Sequence, residues 1–181
     1  VYGGAPAVTD DTLYVTVTPG SDAENRLAML DPDAEEAARA RYRALAATPA
    51  EDSRLAATRD FVRANDLVAR NVTAALNSNL GFMFGLIEGD AVPMSRGQAI
   101  RNVSASADEM RQSTAEWVYS YVMLSQDPLG VAQIRDYTAL AASPEGRAVN
   151  AALFDAFGAM YRQLSHAMGL ALAAEMAARD I

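Results

Sequence analysis

The chain has 181 residues and a formal net charge of -8, and all fifteen of its basic residues are arginine. That size suits a single domain, and the acidity argues against phosphate backbones or anionic membranes as partners, so no nucleic acid is expected. At 51% apolar residues a core is available, while the lack of any cysteine excludes disulfides, thiolate nucleophiles and Cys-based zinc or iron–sulfur sites.

The first twenty residues differ from the rest. Thr12–Thr18 alternates with the period of a strand and is rich in β-formers. No later segment resembles a pairing strand, so 1–20 is expected to be an extended arm. It would lie on the domain or pair with a second copy, making a homodimer through 12–18.

From Ser21 onward the helix starts are legible. Ser21-x-x-Glu24, Ser95-x-x-Gln98 and Ser106-x-x-Glu109 read as capping boxes. Asp31-Pro32, Thr48-Pro49, Asp127-Pro128 and Ser143-Pro144 read as caps followed by proline at the first helical position. These signals predict an all-α helical bundle over 21–181. About seven helices are expected, at 22–30, 32–47, 49–87, 96–104, 107–125, 128–142 and 144–178, in helix–corner–helix units. No stretch is apolar enough to predict a transmembrane span, since the uncharged run from Asn71 to Ile87 contains three asparagines.

Two apolar stripes dominate. The long third helix carries Leu55, Val62, Ala69, Leu76 and Met83. The last carries Val149, Leu153, Phe157, Met160, Leu164, Met168 and Leu172, spaced by three and four. Such stripes are expected to face the core. Gly81-x-x-x-Gly85 would let another helix cross closely.

No constellation of reactive groups stands out. His166, the only histidine, has Arg162 and Leu170 at i−4 and i+4, so it lacks a helical metal partner. Ser165 adjoins it in sequence and points elsewhere on a helix. The acids are scattered, and several sit at helix starts where the dipole accounts for them. Neither a cofactor nor a metal is expected, and catalytic residues are not assigned. A hydrolase built from dispersed acids is the weakest of three readings. The second is a carrier holding a small apolar ligand between the 107–125 and 144–178 helices, in a pocket of Trp117, Tyr121, Leu124 and Phe157. The first is a non-enzymatic domain that binds another protein or itself.

An internal echo joins Tyr42-x-Ala-Leu-Ala-Ala-Thr48-Pro49 to Tyr137-x-Ala-Leu-Ala-Ala-Ser143-Pro144. The second copy runs into Glu145-Gly146-Arg147, placing a glycine in the first turn of a helix, where it weakens the helix by up to about 1 kcal/mol. Backbone contact with a neighbouring element is the expected reason. The structural corner is therefore assigned to Tyr137, Ser143, Pro144, Gly146 and Asn150.

Three stretches carry a family resemblance: Phe61 to Asn77, Glu116-Trp-Val-Tyr-Ser-Tyr121 running on to Asp127-Pro-Leu129, and Tyr137 to Tyr161. Over roughly residues 30–172 the chain resembles the bacterial family known as domain of unknown function 2059, in its alphaproteobacterial form. The most specific part is the Ser-Pro-x-Gly-Arg corner at 143–147, followed by Asn150 and Phe154. The resemblance implies a small helical protein exported to the periplasm behind a signal peptide, consistent with a chain that begins at Val1. That family has no established activity, so no catalytic residue is implied.

Overall fold

A computed structural model describes residues 7–9, 12–14, 29–48 and 52–179. The fold is an all-α helical bundle. Its described elements are two short strands, β1 (Ala7–Thr9) and β2 (Thr12–Tyr14), and seven helices: α1 (Pro32–Ala46), α2 (Ser53–Ala64), α3 (Leu67–Glu88), α4 (Arg96–Ala105), α5 (Ala107–Ser125), α6 (Val131–Ala141) and α7 (Pro144–Arg179). The expected helix 22–30 falls almost wholly outside the described residues, as does its capping box.

Thr12–Tyr14 has a partner after all. It lies upstream, where Ala7, Val8 and Thr9 pair antiparallel with Tyr14, Leu13 and Thr12. Three residues are too few to show a strand's alternation, so sequence inspection alone misses β1.

The expected helix 49–87 is two helices. The break falls at Asn65-Asp66, where Asp66 adopts a left-handed conformation with φ 53°. Asn and Asp tolerate that region better than other non-glycine residues, and their side chains compete for backbone bonds. No glycine or proline marks the site. Asn150 of α7 fixes the junction by donating a hydrogen bond from Nδ2 to the Asn65 carbonyl at 3.0 Å.

The caps divide along similar lines. Asp31 accepts from the Asp33 N–H, and Ser95 and Gln98 form the full reciprocal box. Thr48 instead turns back, donating its hydroxyl to the Ala44 carbonyl, and Asp52 accepts from the Leu55 N–H to start α2. Ser106 likewise donates back to Val103. Asp127-Pro128 does not open α6. The helix begins at Val131, with Gln133 accepting from the Gly130 N–H, while Asp127 pairs with Arg41 at 2.8 Å.

The sequence suggests one helical domain, and the described chain groups into two compact units. The first comprises 1–62 and 116–139, the second 63–115 and 140–181. In the first, Ala57, Leu129 and Ile134 form a buried cluster against which Val131 packs. Arg54 holds the loop after α5 by donating to the Gln126 and Leu129 carbonyls at 3.0 and 2.6 Å. Tyr42 stacks on Tyr119 and Phe61 on Tyr137, so both tyrosines of the echo sit against an aromatic ring. In the second unit the dominant pairing is α3 with α7, and α4 packs on α3.

Candidate docking surface on the last helix

The α3–α7 pairing is built from small residues. Gly81 and Gly85 face α7 along one line, continued by Gly89 at the end of α3. A Cβ added to Gly81 would lie 2.7 Å from the Arg162 carbonyl oxygen, and one added to Gly85 would lie 2.8 Å from the Leu170 nitrogen. Gly169 and Ala173 answer from α7: a Cβ on Gly169 would come within 3.1 Å of the Gly85 Cα, and the Ala173 methyl occupies the space beside Gly89. Real side chains do not tolerate such separations from backbone atoms, so the two helices can approach this closely only through glycine. The Gly81–Gly85 motif thus seats a helix of its own chain, with Gly169 and Ala173 buried beneath it.

That choice of face leaves the large side chains of α7 outside. Val149, Leu153, Phe157, Met160, Leu164, Met168 and Leu172, expected in the core, are all exposed. With Tyr161 and Met176 they retain 41–57% of their surface. At about 100° per residue the seven large residues from Val149 to Met168 lie roughly 100–180° from the line through Gly169 and Ala173, while Leu172 and Met176 lie at about 80° and 40°. A helix apolar on two sides needs two partners. α3 covers the small-residue side, and the seven large side chains from Val149 to Met168 form an open stripe of about 30 Å along the other.

The residues assigned to the structural corner fall in two units. Ser143 Oγ accepts from the Gly146 N–H at 3.0 Å, capping the helix behind Pro144. A Cβ on Gly146 would run into the carbonyl oxygens of Leu140 and Ala141, the latter at 2.8 Å. Asn150, one turn further, makes the bond to Asn65 described above. Tyr137 lies in the first unit, stacked on Phe61.

The residues expected to line an apolar pocket are divided. Trp117, Tyr121 and Leu124 belong to the first unit, with Trp117 stacked on Tyr121 at 5.3 Å, whereas Phe157 belongs to the second and stacks on Tyr161 at 6.5 Å. The two grooves found in the second unit run along α3 and α7 instead. The larger, about 440 Å³, is lined by Arg70, Arg162, Asp66 and Asp155, so its cations are matched by acids of the same groove. Arg70 lies over the Phe154 ring at 5.6 Å, and its buried Nε has no hydrogen-bond partner. The smaller groove, about 360 Å³, includes Phe84 and His166. His166 Nε2 is 3.2 Å from Glu88 Oε2, a carboxylate supplied by α3 and invisible to helical spacing on α7. Arg96 reaches the same carboxylate at 3.7 Å while lying over the Phe84 ring. Among the described residues no three His, Asp or Glu side chains gather as a metal site, and no helix is long and apolar enough to cross a membrane.

The signal for the α7 arrangement was present in the sequence as Gly169-x-x-x-Ala173, which repeats the four-residue spacing of Gly81, Gly85 and Gly89. Comparison of the chain with family models, with curated proteins and with solved structures returns no match.

Proposed function

We propose that this chain is a non-enzymatic helical domain of the periplasm that works by docking its last helix onto another protein surface. The observation that carries the reading is the open apolar stripe of α7. Contiguous apolar area of that extent marks an interaction site, because leaving it in water forfeits burial worth about 25 cal/mol per Å². The lone histidine and the missing cysteine leave little nucleophilic chemistry to weigh against it. The periplasmic setting rests on the family resemblance at 143–154.

A photo-reactive amino acid placed at Leu164, with Arg101 on α4 as the control position, tests the proposal in cells. A protein adduct at Leu164 and none at Arg101 is expected. Solvent quenching alone at Leu164 would overturn it.

A further inference from the structure

We infer that the larger groove between α3 and α7 is a binding site for a short zwitterionic peptide, whose ammonium end meets Asp155 and whose carboxylate end meets Arg162. This site is separate from the outer stripe of α7 and does not depend on it.

The two helices run parallel. They meet at the Asn65–Asn150 bond near their starts, and again where Gly81 faces the Arg162 carbonyl. Between those contacts lies the groove of about 440 Å³, a size usual for small-ligand sites. Gly158 and Ala159 lie along its α7 side. A Cβ at Gly158 would find nothing within 4 Å, whereas one at Gly81, Gly85, Gly146 or Gly169 would meet backbone. Gly158 therefore weakens its helix by up to about 1 kcal/mol with no close contact that requires it. What it provides is the open space above it.

Asp155 and Arg162 stand at the two ends of that space. Seven residues apart, they fall within about 20° of each other around α7 and about 10 Å apart along it. Neither has an ion-pair partner among the described residues. Asp66 and Arg70 join the Asp155 end from the start of α3, with Arg70 held over the Phe154 ring. That end keeps a net negative charge, and the Arg162 end is positive. A ligand with one charge would leave one end unanswered; a zwitterion answers both. An extended tripeptide, at about 3.3–3.6 Å per residue, matches the distance between them.

The α3 wall suits the amides of such a ligand. Thr73 and Asn77 line the groove one helical turn apart. Neither side chain makes a hydrogen bond among the described residues, whereas Thr138 and Asn71 donate theirs to carbonyls one turn back. The Thr73 hydroxyl and the Asn77 amide can each donate and accept, which is what peptide N–H and C=O groups need.

Calorimetric titration of the full chain with tri-alanine tests the site. Saturable binding in the millimolar range or tighter is expected. Asp155→Asn and Arg162→Gln should each weaken it about tenfold or more. Both residues are exposed, so helical circular dichroism should be unchanged. Gly158→Leu should fill the groove and abolish binding. Blocked ligands then assign the ends. N-acetylated tri-alanine should bind Asp155→Asn no worse than the native chain, because that contact is already gone, and the C-terminal amide should behave likewise with Arg162→Gln. Losses that simply add would overturn the assignment. Free alanine binding as tightly as tri-alanine would overturn the proposed length. No heat with tri-alanine at millimolar concentration would overturn the inference and leave the docking stripe untouched.

Discussion

Gly85 of α3 and Gly169 of α7 face each other so closely that a Cβ built on either would sit 3.0–3.1 Å from the Cα of the other. This contact decides which side of α7 turns inward, and through that which side stays exposed.

The close approach can be tested against an internal control. Gly85→Ala and Gly169→Ala should each destabilise by about 1–3 kcal/mol, because backbone must move to admit the methyl. Gly158, in the same helix as Gly169, has nothing within 4 Å of its Cβ position. Gly158→Ala should therefore stabilise by about 0.5–1 kcal/mol through helix propensity. Thermal or urea unfolding of the three variants reads the contrast, and equal effects at 158 and 169 would show that the contact does not govern.

Gly146→Glu offers a second contrast. The change would supply the acid that completes a capping box with Ser143, yet its Cβ meets the Leu140 and Ala141 carbonyls. Destabilisation by more than about 1 kcal/mol is expected. Ser143→Ala, which removes only the cap oxygen, should cost about 1 kcal/mol. A neutral or stabilising Gly146→Glu in denaturant melts would mean that the helix start gives way easily.

The α2–α3 break depends on a left-handed aspartate and a remote amide. Asn150→Ala should cost about 1 kcal/mol and raise amide exchange at residues 63–70, leaving exchange across α4 unchanged. Asp66→Gly removes the strain of positive φ and should be tolerated, while Asp66→Val should be destabilising by 1 kcal/mol or more, roughly. A Val variant as stable as the native chain would contradict the junction geometry.

Tyr42 gives a pH handle. Burial against its neighbours pushes its phenol above the ordinary value of 10.0, outweighing the opposing pull of Arg59. A raised pKa favours the protonated form in the folded state. The stabilisation is therefore complete below the unfolded value of 10.0 and is lost as pH rises through the folded value. Tyr42→Phe should lose less stability than the native chain on alkaline titration. In phenolate absorbance difference spectra between the two proteins, the missing tyrosine should titrate above 10.0; titration at or below it would refute the burial.

The sequence by itself determined the helical class, the starts at Pro32, Arg96 and Pro144, and the reason for Gly146. Each depends on residues within one or two turns, where capping and steric rules act. Where Thr48, Ser106 and Asp127 point was open to it only in part, since a short polar side chain can bond forward into the next helix or back to the last, and the surrounding packing chooses. The Asn65-Asp66 break was hidden because the apolar spacing continues across it. The inward face of α7 was left to tertiary structure. Both sides of that helix are apolar, and periodicity measures side-chain size without knowing which neighbour is at hand. α3 offers a groove of glycines, which fits small residues, so Gly169 and Ala173 turn in and Leu164 turns out. That geometric match, and no property of α7 alone, leaves this face exposed.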